Sequence, residues 1–247
     1  MLGMTKFGVL SSLGKIPDGS TVTPVNSYTI WLACAEISDT FGSLASVISS
    51  STARGLLTDN LNALRYMVRS SDIMEDVLDD SDWVTALDNC DYVVSVPTMT
   101  SNTTPSGVAS SENVYSGTYD SYKCLDGTGE GLTISSIAND LTWWTQYLFA
   151  DALFPYKFDV APASGASASV YRIYKIQGSN DGTTFVDLTG DITSETFSGN
   201  TAAMVTTKTN DSSTAYKYYR YVNTGGITGS GSYAACRILQ IYGLDLS

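Results

Sequence analysis

The chain contains no histidine. A serine- or cysteine-centred triad takes its base from an imidazole, and many zinc sites take ligands from one, so both chemistries start without their usual part. Cysteine is scarce as well. Cys34, Cys90, Cys124 and Cys236 stand far apart with no CxxC pair, which excludes a clustered zinc site. They read as buried free thiols of a chain that folds in a reducing cytosol. A Cys124–Cys236 bridge between terminal strands of one domain is the other reading. Positive charge is the next shortage: 13 Lys and Arg stand against 25 Asp and Glu, a net charge of −12. With no basic face to offset phosphate, nucleic acid and anionic membranes are excluded as partners. Long apolar runs are missing too. Tyr28 to Ile37 is the longest, about half a membrane span, and Phe7-Gly8-Val9-Leu10 after Lys6 is far too short for a signal-peptide core. The chain is therefore expected to be made in the cytoplasm and, if it leaves the cell, to do so by a route other than a signal peptide, such as lysis.

Ser, Thr, Gly and Asn are abundant, aromatics reach 11% and 16 residues are Tyr, while charged residues are only 15%. This is the composition of an all-β extracellular or virion-type protein with enough apolar material for a core. The stretch Tyr171–Leu188 carries the firmest local signal. Two strand-like runs flank Gly178-Ser179-Asn180-Asp181-Gly182, whose Asn and Asp-Gly favour a hairpin turn. Tyr174 and Ile176 share one side of the pleat. Further runs of this kind, from about residue 114 to the end, predict one antiparallel β domain. They include Lys123-Cys124-Leu125, Trp144 to Phe149, Tyr156 to Val160, Met204 to Thr207, Tyr216 to Asn223 and Cys236 to Tyr242.

Ahead of that domain the sequence changes character. Residues 1–50 have apolar content without periodicity, and are read as an anchor that becomes ordered against a partner protein. Residues 51–96 hold a ten-residue repeat. Thr52, Asn62, Asp72 and Asp82 occupy one phase, all helix-capping types, and Leu57, Met67, Val77 and Leu87 another. The pattern predicts a series of short capped helices with one apolar side, or a single long helix as the rival. Such a unit must stack on neighbours or on other subunits. The segment is also acidic, with nine Asp or Glu against three Arg between Ala53 and Asp91. That charge makes either a solvated helical face or a docking surface for a basic partner. Pro97 and Pro105 forbid helix beyond it, and the boundary of the β domain, 97–247, is placed there.

Two resemblances follow from these motifs. The capped unit resembles the degenerate repeats of bacteriophage tail-fibre and related virion proteins. The series YDSYKCLDGTGEG, WWTQYLF, YKIQGSNDGTTFVDL, YKYYRYV and CRILQIYG resembles the discoidin-like domain, also called the coagulation-factor type C domain. The fold class this implies is mainly β, a jelly-roll β-sandwich of the galactose-binding-like type behind a smaller α-helical N-terminal region. The setting it implies is a virion appendage. The expected partners are other virion structural proteins, further copies of the chain in a homo-oligomer such as a trimer, and a host surface glycan.

Candidate site residues follow. In a pleat Trp143 and Trp144 point opposite ways. Trp144 matches the family's core tryptophan, which implies that Trp143 faces outward, where an indole stacks on a sugar ring. Tyr119 and Tyr122 in the preceding loop would join it. Asp126-Gly127-Thr128-Gly129-Glu130 groups carboxylates and carbonyls in a tight loop, a donor set suited to calcium. The resemblance places such an ion after this Asp-Gly, on Asp126 and Glu130, although Leu132 stands where the family shows Trp. Asp126 and Glu130 read as a glycosidase pair is the catalytic alternative. The remaining carboxylates are scattered, and no catalytic residue is assigned.

Overall fold

A computed structural model describes residues 48–247 except 70, 130, 165–170, 198–201 and 228–231. The side chains of 52, 53, 56, 66, 71, 72, 164 and 227 also lie outside the described set. The anchor expected over 1–50 falls almost wholly outside it, as does Cys34. The chain divides into two compact units, Met1–Val93 with Leu246–Ser247, and Val94–Asp245.

In the first unit the described residues form four short helices: α1 Ser51–Thr58, α2 Leu61–Met67, α3 Ser71–Asp79 and α4 Ser81–Asp88. This is the series of short helices, and the single long helix is ruled out. Its apolar phase is as expected: Leu57, Met67, Val77 and Leu87 are all buried, with Ala63 and Trp83 beside them. The capping phase lies two residues earlier than expected. Asp80 Oδ1 accepts from the backbone N–H groups of Asp82 and Trp83 at 2.9 and 3.1 Å, and Asn60 Oδ1 accepts from Ala63 N at 3.0 Å. Ser50, Asn60, Ser70 and Asp80 also recur every ten residues. The repeat therefore holds two phases of capping residues, and the helix starts where the apolar phase can reach the unit's core. Asn62 and Asp82 are instead exposed positions inside the helices. Arg54 pairs with Asp82 at 2.8 Å and donates to Ile48 O, which also receives Trp83 Nε1 at 2.7 Å, so α1 and α4 are joined.

The second unit is an antiparallel jelly-roll β-sandwich. Its strands are β1 Val93–Ser95, β2 Val108–Ser111, β3 Thr133–Ala138, β4 Trp144–Ser164, β5 Tyr171–Ser179, β6 Val186–Asp187, β7 Ile192–Thr193, β8 Val205–Lys208, β9 Tyr216–Ile227 and β10 Tyr233–Leu244. β4 is long enough to serve both sheets. Its first part, through Leu148, pairs β2 on one edge and β9 on the other, the β9 pairing resuming at Leu153 opposite Tyr216 after a register shift, and β9 pairs β5, which carries β6 and β7. Its second part, from Phe154, pairs β10 and β8, and β10 carries β3 and β1. Two runs expected as separate strands, 144–149 and 156–160, are thus one element. The run Lys123-Cys124-Leu125, expected as a strand, lies in a 3-10 helix, Ser121–Leu125. Asp120 decides this: its side chain accepts from Ser121 N at 2.8 Å and its carbonyl from Lys123 N at 3.0 Å.

Buried residues alternate along the first part of β4 and along β5, whereas β10 and the end of β4 hold runs of consecutive buried residues. Tyr147, Phe158, Tyr174, Ile176, Tyr219, Tyr221, Leu239 and Ile241 make one apolar cluster between the sheets. Cys124 and Cys236 are both buried in it as free thiols, and Cys90 is a half-buried thiol of the helical unit. The hairpin after β5 forms as its sequence predicts. Gly182 takes a left-handed φ of +71°. Asp181 Oδ1 accepts from Thr183 N at 2.8 Å, Thr184 N at 2.7 Å and Ser179 Oγ at 3.0 Å. These donors hold the Asp181 carboxyl well below the usual carboxylate range, the two backbone N–H groups contributing most. A folded value below the unfolded one means that the turn's stabilisation is present above roughly pH 4, and is lost as acid protonates the group. Asp181→Ala is accordingly expected to lower Tm at neutral pH, and the gap to the parent chain should narrow on acidification. Thermal melts of both proteins from pH 7 downward check this, and a gap that stays constant would refute it.

Candidate functional site

The two tryptophans do point opposite ways, but in the opposite sense to that expected. Trp143 is 0% exposed. Its Nε1 donates to the Asn113 carbonyl at 3.0 Å, and its ring meets Tyr221 edge-on at 6.3 Å. Trp144 is the half-exposed member. Cross-strand register sets this phase: Trp144 sits opposite Val222 and Thr145 opposite Tyr221, which turns 143, 145, 147 and 149 inward. The sequence held one clue. Trp143 shares its phase with Tyr147 and Phe149, whereas Trp144 shares its own with Gln146. Burial removes Trp143 from any ligand-facing surface.

Tyr119 and Tyr122 pack against different clusters. Tyr122 lies half-buried on the main core, with the Lys123 ammonium 4.6 Å above its ring. Tyr119 ends a short 3-10 turn, Gly117–Tyr119, and packs with Tyr233 on a smaller cluster of Leu132, Ile134, Ala163 and Ala235. Here the structure adds a residue that the sequence reading missed. Tyr115 is 54% exposed. Its ring meets Tyr119 at 6.1 Å and Tyr233 at 5.2 Å, both edge-on at 75°. Its backbone is tied down as well, since Tyr115 N donates to Ile134 O at 2.9 Å. β10 brings Tyr233 opposite Ala138 of β3, so residues more than a hundred positions apart build one aromatic patch. Ile137, at the end of β3, is exposed as well. Edge-to-face contacts orient Tyr115 while leaving ring surface open to solvent.

The Asp126 carboxylate is engaged within its own loop, which Arg237 of β10 also ties down by donating to Gly129 O at 2.7 Å. Asp126 Oδ1 accepts from Thr128 N at 3.0 Å and from Thr128 Oγ1 at 2.8 Å. Calcium takes six to eight oxygens, and no group of three His, Cys, Asp or Glu side chains gathers among the described residues. Glu130 lies outside them. The described part of the loop thus supplies one carboxylate, already engaged, and does not make a calcium cage.

A second aromatic surface runs over the outer face of β4, β9 and β5. The Arg220 guanidinium stands 3.7 Å from the Phe185 ring centroid and 6.0 Å from that of Trp144. Its Nε donates to Gln177 Oε1 at 2.7 Å, and Gln177 donates in turn to Asp187 at 2.6 Å. Asp187 also accepts from Lys175 at 2.7 Å. Burial alone would raise the Asp187 carboxyl, but the Lys175 and Gln177 donors outweigh it and hold the group below its ordinary value. Every member of this row already has a partner, which marks it as a stiffened sheet face.

No protein-family model and no curated protein matches the chain. Solved structures similar to the chain include carbohydrate-binding modules. The chain is similar to the family 32 module of NanJ from C. perfringens in complex with galactose, at 18% identity, over 61% of this chain and 98% of that one, with a TM-score of 0.44. It is similar to chitosan-binding module 1 of a chitosanase/glucanase from Paenibacillus sp. IK-5, at 19% identity over 56% and 95%, with a TM-score of 0.40. A third is the family 32 module of AlyQ in complex with 4,5-unsaturated mannuronic acid, at 16% identity over 54% and 92%, with a TM-score of 0.42.

Proposed function

We propose that this chain is a non-enzymatic glycan-binding protein of a tailed-phage particle, with the sandwich as the recognition unit. The observation that carries the sugar-binding part is Tyr115, an exposed ring fixed edge-on by Tyr119 and Tyr233. A pyranose has an apolar face that stacks on such a ring, and a ring already oriented loses little freedom on binding. The non-enzymatic part is supported by the use made of the carboxylates. Asp126, Asp140, Asp181 and Asp211 each accept a backbone N–H two residues on, which makes them turn formers. The particle setting is supported by the ten-residue capped repeat, a kind of unit that stacks on neighbours. In this setting the N-terminal region joins other virion structural proteins and the chain assembles as a homo-oligomer.

A glycan array on the full chain tests the sugar-binding part. Tyr115→Ala is expected to weaken binding about tenfold or more, equivalent to ~1.4 kcal/mol, while Trp144→Ala leaves it unchanged. Loss in Trp144→Ala alone would move the site to the outer sheet face. No binding to any glycan would leave a structural decoration. Antibodies to the sandwich should label tailed particles in electron micrographs, and unlabelled particles would overturn that placement.

A further inference from the structure

The inward face of the β5/β9 pair brings four side chains with polar ends into the core. Arg172 and Tyr174 alternate on β5, and Tyr221 and Asn223 alternate on β9. Tyr174 sits directly opposite Asn223, and the Tyr174 and Tyr221 rings stack at 5.0 Å. All four residues are buried, three of them completely and Asn223 to 1% exposure. Arg172 reaches across to the other sheet, donating from Nη2 to Tyr233 O at 2.9 Å and from Nε to Ala163 O at 3.5 Å. Among the described residues its Nη1 has no partner, and neither do Tyr174 Oη, Tyr221 Oη, Asn223 Oδ1 or Ser232 Oγ. The β5/β9 register shifts between Ile173 and Tyr174, so a bulge falls between the two polar residues of β5. Bulges of this kind re-aim side chains and recur beside binding sites.

Among the described residues no carboxylate pairs with Arg172, and a buried guanidinium left so costs several kcal/mol unless something neutralises it. Burial lowers the Arg172 guanidinium from its ordinary value, but an arginine stays protonated. Burial raises both phenols, so Tyr174 and Tyr221 keep their protons and are hydrogen-bond donors. Tyr221 lies within electrostatic reach of the Arg172 guanidinium and Tyr174 stacks on Tyr221, so two unpaired phenol donors are grouped with one positive charge.

We propose that Arg172, Tyr174 and Tyr221 form an internal site for a small monovalent anion of about chloride size, with Asn223 and Ser232 at its margin. One guanidinium balances one negative charge, which argues against phosphate or sulfate. Complete burial of the three donors excludes a bulky carboxylate. The anion would be a structural ligand of the sandwich, independent of sugar binding at Tyr115.

Thermal melts of the full chain in sodium chloride, set against sodium gluconate at equal ionic strength, test this. Gluconate is too large to enter. Chloride is expected to raise Tm by several degrees and to saturate, as a ligand of the folded state alone does. Arg172→Met should abolish the chloride increment. If that variant fails to fold, Tyr174→Phe and Tyr221→Phe still decide the matter. Each should reduce the increment in chloride, whereas in gluconate each should leave Tm unchanged or raise it, because an unpaired buried hydroxyl has been removed. Crystals grown in bromide should show an anomalous peak beside Arg172 Nη1. Equal melting in the two salts with no such peak would mean that these atoms hold water only, and would overturn the proposal. A chloride effect with the peak elsewhere would overturn it equally.

Discussion

Trp143→Ala is expected to destabilise the sandwich by about 3–5 kcal/mol, the range for truncating a large aromatic in a core that cannot collapse around the loss. The indole is fully buried between the two sheets. Its removal leaves a cavity beside Tyr221 and strips the Asn113 carbonyl of its Nε1 donor. Trp144→Ala, one position along, should cost about 1 kcal/mol or less, because it gives up a half-exposed ring and one distant cation–π contact. Urea unfolding of the two variants, followed by near-UV circular dichroism, reads the difference. Equal midpoints, or a larger loss in Trp144→Ala, would show that the strand runs in the opposite phase. The pair also bears on function. A glycan assay that used Trp143→Ala as its binding control would measure unfolding, so the exposed Tyr115 is the residue to change.

Gly226→Ala should be nearly as damaging, at about 2–5 kcal/mol from backbone strain and overcrowding together. Gly226 has a φ of +135°, a conformation that L side chains rarely adopt. A Cβ there would run into the Tyr171 carbonyl oxygen and lie 3.1 Å from Arg172 Cα. Both are backbone atoms of the paired strand and cannot swing aside. Gly225 is the internal control. A methyl group there meets only the Ile173 side chain at 3.5 Å or beyond, so Gly225→Ala should stay within about 1 kcal/mol of the parent. Because Gly226 is opposite Arg172 in the ladder, its substitution should also reduce the chloride-dependent rise in Tm. Melting both variants in chloride and gluconate checks the two expectations together, and indistinguishable variants would contradict both.

How much of this was legible in the chain differs from element to element. The β5 hairpin was, because Asp181 and Gly182 act on their own backbone and need no distant partner, although Asn180 turns its side chain to Ala215 and Lys217 instead. The short helices of the first unit were legible for a similar reason, as capping and an apolar phase are properties of ten consecutive residues. The start of each helix was not. Two phases of the repeat offer capping side chains, and burial of the apolar phase chose between them. The run Cys236 to Tyr242 was legible as a strand, and its alternation holds from Ile238 on: Leu239 and Ile241 are buried, Ile238 and Tyr242 half-buried on the other face.

The candidate site was less legible. Tyr119 was singled out, but Tyr115 and Tyr233 were not, because the patch they form depends on β10 pairing β3 across a long separation in sequence. The Trp143–Trp144 pair shows the limit most clearly. Alternation is a local rule and was read correctly. The choice of which ring faces inward belongs to the register with β9, which no neighbour along the chain encodes.

The sequence by itself determined that this is a β-rich, acidic chain without imidazole chemistry, with a capped helical repeat ahead of a sandwich and a tight turn at Asp181. Those features arise from composition, from short-range periodicity and from side chains bonding to their own backbone. Only the tertiary structure decided that Trp143 is core and Tyr115 is surface, and that Arg172 is buried beside two unpaired tyrosine hydroxyls. Each of these depends on which residues two strands bring opposite each other, and strand pairing is a property of the whole fold.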